Sequence, residues 1–320
     1  MPHRCFALAA LVLAGLATPV AAQTYPNRPV RIVVGFAAGG GTDVAARTVG
    51  VGLSERWGQQ VVIENRGGAG GVLAGEAVAR AAPDGYTLLA CGISTTLAPL
   101  LRKSVPYEPK DFAPLTVTAL FANAMIVGAQ RPWRTVAELI AQAKAAPGKL
   151  TYGSAGVGST LHLTMELFKI MAGVDIVHVP YKGGSAALAD VIAGHIDMSF
   201  DNIPGLLGAI QGGQVRALAV SSPGRNGQLP DVPPLSEAGV PGYEMVGWYG
   251  LCAPAATPEP ILEKLHADIV AVLATPAYRK ASVEQGNEPT AMTRTEYAAF
   301  LDAQARKFAK LARDAGVEPE

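Results

Sequence analysis

Short β-branched apolar runs alternate along this chain with longer segments whose apolar residues recur every three or four positions. Ile32-Val33-Val34 reads as a buried strand, followed by a helix over Val44 to Trp57. Gln60 to Glu64 reads as a second strand, with a helix over Val72 to Ala82 that Pro83-Asp84-Gly85 ends, and Tyr86 to Cys91 as a third. Strand and helix alternating in this way predict a parallel, doubly wound α/β sheet. Pro106, Pro109 and Pro114 then break the pattern, and the apolar run Leu115 to Gly128 predicts a strand that leaves this unit.

A fresh series follows. Thr135 and Glu138 form a capping box for a helix that Pro147-Gly148 stops, and Leu150 to Gly153 predicts a strand before a helix over Leu161 to Met171. Further strands are expected at Asp175 to Pro180, Ile196 to Phe200 and Val215 to Ser221, with a helix ending at Gly194. Tyr243 to Ala253 reads as a second crossing strand that returns the chain to the first unit. Three helices finish it, opened by Thr257-Pro258, by Thr275-Pro276 and by Thr293 with Glu296, the last stopping at Gly316. Two crossings predict a hinged, two-lobed molecule: lobe 1 from 23–121 and 249–320, lobe 2 from 122–248.

Residues 1–22 stand apart. Arg4 precedes the apolar run Phe6 to Leu16, and Pro19-Val20-Ala21-Ala22 offers small residues for cleavage before Gln23, the pattern of a secretory signal peptide. Export to the periplasm is therefore expected, and a nicotinamide enzyme fits that compartment poorly. Cys5 falls in the signal, so Cys91 and Cys252 remain; both look like strand-end residues, and buried free thiols are the favoured reading over a disulfide. Lys and Arg number 26 and so do Asp and Glu, and charged residues are only 16% of the chain, which leaves no basic footprint for nucleic acid or a membrane surface. The partner expected is a small molecule, and the protein a monomer.

Two glycine-rich turns carry the chemistry. After Ile32-Val33-Val34 come Phe36, Ala38, Gly39, Gly40 and Gly41, then Thr42 as the expected N-cap. A loop without β-carbons next to a helix N-terminus gathers unpaired N–H groups and the positive end of the helix dipole, a site for an anion. Val44 stands where a dinucleotide fingerprint needs its third glycine, although Glu64 mimics the ribose-binding acid, and no lysine follows as in a phosphate loop. In the second unit Ser154, Gly156, Gly158, Ser159 and Thr160 repeat the arrangement; Gly153 and Gly158 have phosphate-loop spacing, but Ser159 replaces the required lysine. Two such ends facing across a cleft clamp one small anion. The competing reading of each loop alone is a tight turn that lets helix and strand pack closely.

Other candidates are placed by the same rules. Ser94, Thr95 and Thr96 supply hydroxyls at a strand's carboxyl end, where open α/β sheets bind ligands. Asp201 and Asn202 end another strand and either bind a polar group or cap the helix at Pro204. Arg66 and Lys182 are cations near the loops, with solvated surface positions as the competing reading. His162 and Glu166 lie one helical turn apart, but two ligands make a poor metal site, so neither a metal nor a cofactor is expected.

The motifs together are specific. YPNRPVRIVVGFAAGGGTDVAAR, VVIENRGGAGG, APDGYTLL, LTYGSAGVGSTLHLTMELF, HVPYKGG, AGHIDMSFDN, VRALAV and GLCAPAATP resemble, in order and over essentially the whole mature chain, the Bug proteins, periplasmic solute-binding components of tripartite tricarboxylate transporters. Pro234 stands where that family more often has threonine. The resemblance implies a Venus-flytrap fold, capture of a carboxylate, often a dicarboxylate, through main-chain amides of the loops matched by Phe36 to Thr42 and Ser154 to Thr160, and delivery to membrane permease subunits. The rival from another class is a secreted hydrolase acting on a carboxylate-containing substrate; no G-x-S-x-G elbow occurs, and His162, His178, His195 and His266 accompany no recognisable nucleophile.

Overall fold

The computed structural model describes residues 25–314. The expected signal peptide and the stop at Gly316 lie outside the described residues. The chain opens with β1 (Val30–Val34), α1 (Gly41–Trp57), β2 (Val61–Asn65), α2 (Val72–Ala79), β3 (Thr87–Gly92) and α3 (Ile93–Leu101). Strand β1 lies between β2 and β3, parallel to both. Alternation explains why it is central: Val30, Ile32 and Val34 pack with Val49 and Leu53 of α1, while Val33 packs on the other face with Val72 and Val78 of α2.

The chain then enters β4 (Phe112–Gly128), a 17-residue strand that is buried at nearly every position. It continues through α4 (Val136–Ala145), β5 (Thr151–Ser154), α5 (Thr160–Ala172), β6 (Val177–Pro180), α6 (Gly184–Ala193), β7 (Met198–Asn202), α7 (Ile203–Gln211) and β8 (Val215–Val220). The end is β9 (Val246–Pro254), α8 (Glu259–Leu273), α9 (Pro276–Glu284), β10 (Asn287–Pro289) and α10 (Arg294–Asp314). The sheet order is β2-β1-β3-β9-β4-β7-β5-β6, with β8 and β10 also against β4.

Strand β4 changes partners part-way along. Residues Phe112 to Ala122 pair with β9 and Ala119 to Phe121 with β10, whereas Asn123 to Val127 pair with β7 and Ala124 to Gly128 with β8. All four pairings are antiparallel, so the sheet is mixed rather than wholly parallel. Only the βα series β2-β1-β3 and β6-β5-β7 keep the parallel order. The return crossing also differs from expectation. Met245 is still bonded to Ser221 at the end of β8, and from Val246 onward β9 pairs only with β3 and β4, so the chain crosses as it enters β9 rather than along it.

The two thiols form a disulfide, contrary to the free-thiol expectation. Cys91 and Cys252 bridge β3 and β9 with Cα atoms 5.9 Å apart. The residues are 161 positions apart in sequence, and only the antiparallel β3–β9 register, which sets Cys91 opposite Gly250, brings them into bonding range.

Candidate functional site

The first glycine turn is held from inside by Asp43. Its Oδ2 accepts from the Gly39 amide at 2.9 Å and from Arg47 Nε at 3.0 Å, and its Oδ1 accepts from Asn65 Nδ2 at 2.9 Å. Asn65 also donates to the Phe36 carbonyl at 3.0 Å, tying the loop to the end of β2. Burial opposes ionisation of Asp43, but Arg47, the Gly39 amide and Asn65 outweigh it and hold the carboxyl below its ordinary range. Helix α1 consequently starts at Gly41, with Gly40 as N-cap and no side-chain cap, so Thr42 lies within the first turn and is not the N-cap. The first-turn amides of Gly41 and Thr42 have no intrahelical acceptor.

The second turn is braced by histidines. Ser154 is fully buried, its Oγ 2.6 Å from His178 Nε2 and accepting from the Gly156 amide at 3.0 Å. Gly158 donates its amide to His162 Nδ1 at 3.3 Å, and Ser159 caps α5 by accepting from the His162 amide at 3.3 Å. Gly156 and Gly158 have φ of 108° and 79°, a backbone that side chains rarely adopt. Burial, and then the neighbouring His162, push His178 down to about 4, so it braces Ser154 as a neutral ring. With His162 facing Gly158, and Glu166 accepting from Tyr152 and Lys169, that pair does not form a metal site. Among the described residues no group of three or more His, Cys, Asp or Glu is placed to hold a metal ion.

The two turns meet at one cavity of about 30 Å³. Phe36, Gly40, Gly41 and Thr42 form its wall on one side; Ala155, Ser159, Thr160 and Leu161 form the facing wall, and Gly184, Asp201 and Asn202 complete it. Of the sequence-predicted residues, Phe36, Gly40, Thr42, Ser159, Thr160 and Asp201 are brought together here. The others are not. Ala38 and Gly39 lie exposed on the outer turn, Ser154 and Gly158 stand behind the second loop, and Gly156 lines the outer mouth. Ser94 and Thr95 belong to α3 rather than to a strand-end loop and do not reach the cavity, because the helix begins directly after Gly92. Arg66 pairs with Glu64.

Gly41 and Ala155 belong to the two expected loops; Leu161 and Gly184 were not anticipated. Asn202 is the N-cap residue of α7, yet its side chain makes no capping bond; its Oδ1 is buried without a hydrogen-bond partner, as is Tyr249 Oη nearby.

The two sides are in contact. Gly183 abuts Ala37, and a β-carbon at Gly183 would lie 3.1 Å from Ala37 Cβ. Gly70 meets the Val157 carbonyl, which also accepts from Arg102 Nη2 at 3.4 Å. Outside this seam an open mouth of about 590 Å³ is lined by Arg102 and Gly70 on one side and Val157, Tyr181 and Lys182 on the other.

Residues 45–317 match the model of the tripartite tricarboxylate transporter family receptor. The chain belongs to that family. The receptor is similar to the periplasmic binding protein BugD, with 35% identity and a TM-score of 0.89 over 92% of this chain and 100% of that one. It is similar to Rhodopseudomonas palustris Rpa4515, solved with adipate, at 36% identity and TM-score 0.90 over 92% and 100% of the two chains. Malate-bound MatC from the same organism gives 31% and 0.84 over 90% and 99%. Membership makes this chain a solute-binding receptor and not an enzyme, which disposes of the hydrolase alternative. No described helix is long and apolar enough to cross a membrane.

Proposed function

We propose that this receptor captures a small dicarboxylate between its two halves in the periplasm, as a monomer, and hands it to the permease subunits of a tripartite tricarboxylate transporter. One observation carries the reading: the N-termini of α1, which has no side-chain cap, and of α5, which Ser159 caps, from opposite sides form the walls of one cavity that no Lys or Arg lines among the described residues. Unpaired amides and two helix dipoles aimed at one point suit a carboxylate, and the adipate and malate held by the similar proteins are of that class. A cavity of about 30 Å³ holds roughly two waters at ~10–15 Å³ each, so ligand entry requires the halves to part. The change of partners along β4 suits a hinge, with residues 123–245 moving against the remainder.

A thermal-shift screen of mono-, di- and tricarboxylates and acidic amino acids tests the reading, with titration calorimetry on variants. A ligand at a hundred times its dissociation constant stabilises by about 2.7 kcal/mol. Ser159→Ala removes one hydrogen-bonding group, on the order of 1.5–3 kcal/mol, so binding weakens but survives. Gly40→Val places a branched side chain where the ligand meets the backbone, and binding fails while the protein stays folded. Normal binding by Gly40→Val, with loss of binding on neutralising Lys182, assigns the anion to side-chain charge and overturns the reading.

A further inference from the structure

Asp201 is the one ionisable side chain in the cavity wall among the described residues. It lies near the end of β7, opposite Ala124 of β4, and is only 6% exposed. Its Oδ1 accepts from the Asn202 amide at 2.7 Å, its single hydrogen bond among the described residues. Gly184, in the first turn of α6, lies so close to Oδ2 that a β-carbon there has no room.

Among the described residues no cation offsets this carboxyl. From β9 the Tyr249 hydroxyl faces it, neutral and buried. On the α6 side Lys182 is exposed in the outer mouth and Asp190 is bound to Tyr181. On α1, Asp43 and Arg47 are bound to each other. The facing residues of β4, Asn123 and Ala124, carry no charge, nor do Gly153 and Ser154 on β5 or Ile203 and Pro204 opening α7. Burial accordingly pushes the carboxyl up to about 7. A ligand carboxylate entering the same cavity adds a like charge a few ångströms away in low dielectric, where two carboxylates cannot both stay ionised. The walls for the ligand are amides and hydroxyls that donate. A protonated Asp201 joins them as one more donor.

We propose that Asp201 receives the ligand as a neutral acid, its O–H donating to a ligand carboxylate oxygen, so that wherever the free side chain is ionised each carboxylate captured brings one proton from solvent into the site and each release returns it. This rests on the carboxylate reading above and adds a linkage that main-chain amides alone do not produce. Above the pH at which the free site ionises, one proton must be taken up on binding, and affinity falls by up to about tenfold per pH unit.

The experiment is calorimetric titration of the whole receptor with adipate and with malate from pH 6.5 to 8.5. Paired buffers of different ionisation enthalpy report protons taken up. Proton uptake approaching one per ligand at pH 8, with the matching loss of affinity, is the expected result. Asp201→Asn keeps an N–H donor without a titrating group, and binds with affinity flat in pH and no uptake. Binding by wild-type protein without proton uptake overturns the proposal and leaves the carboxylate function standing. Binding of acidic amino acids but not adipate or malate, lost in Asp201→Asn, assigns Asp201 as an ionised acceptor for an ammonium group and also overturns it. Absence of binding by any carboxylate in the panel removes the function and this proposal together.

Discussion

Replacing Gly183 by valine sets a branched side chain into the seam between the two halves. Gly183 is the N-cap of α6 with φ of 177°, extended backbone that any residue adopts, so the substitution strains nothing locally. Across the seam its β-carbon would lie 3.1 Å from Ala37 Cβ and 3.4 Å from the Ala37 amide nitrogen. Alanine thus needs a shift of a few tenths of an ångström, while the γ-carbons of valine have no space unless the halves separate. Overpacking of this kind costs about 1–3 kcal/mol, and because the contact exists only when the halves are together, the cost falls on ligand binding. At about 1.4 kcal/mol per tenfold, the dissociation constant for adipate or malate rises about 5- to 150-fold in Gly183→Val and much less in Gly183→Ala. Loss of glycine as N-cap removes about 1 kcal/mol of fold stability, which a melting curve without ligand reads separately. Gly208→Ala on α7 is the control, since its β-carbon meets nothing within 4 Å. A valine variant that binds within twofold of the parent, with an equal ligand-induced fall in radius of gyration, refutes closure to the spacing seen here.

Reduction, or Cys91→Ser, removes the link between β3 and β9. Closing a loop of 161 residues is worth about 5 kcal/mol in the chain-entropy picture, so urea midpoints drop sharply; an unchanged midpoint and freely reactive thiols in the untreated protein contradict the pairing. Asp43→Ala frees the Gly39 amide, Asn65 and the half-exposed Arg47 at once and costs about 1–3 kcal/mol, mainly for the donors left without their acceptor. Carboxylate affinity falls with stability in that variant, because the same carboxylate shapes the first turn; intact affinity in a destabilised protein shows that the turn forms without it.

The strand, bare turn and helix of β1 and α1 were legible because apolar period, glycines and helix pattern all agree over Ile32 to Trp57. The twin turn at Ser154 to Thr160 was legible for the same reason. Its braces were not: His162 and His178 lie 16 residues apart and meet only when β6 pairs with β5. Thr42 was misjudged because a hydroxyl before a helical pattern normally caps it, whereas here the Asp43 carboxylate reaches back to the Gly39 amide and advances the helix start. Ser94 and Thr95 followed a rule about strand ends, and no turn former separates Gly92 from the helix at Ile93 to warn against it. The disulfide and the antiparallel course of β4 depend on which distant strands become neighbours, which periodicity does not encode.

Strand β4 also orders the protein's maturation in time. Everything that pairs with its second part lies between Asn123 and Val220, one continuous stretch, so that half can complete its sheet as soon as those residues are available. The other half must wait for β9, because β3 and the first part of β4 have no common partner until Val246–Pro254 arrives between them. Cys91 therefore stays without Cys252 while the 161 positions that separate them emerge, about half of the chain. Its oxidation with Cys252 serves as a time stamp, marking the moment at which the enclosing half closes around a half already built.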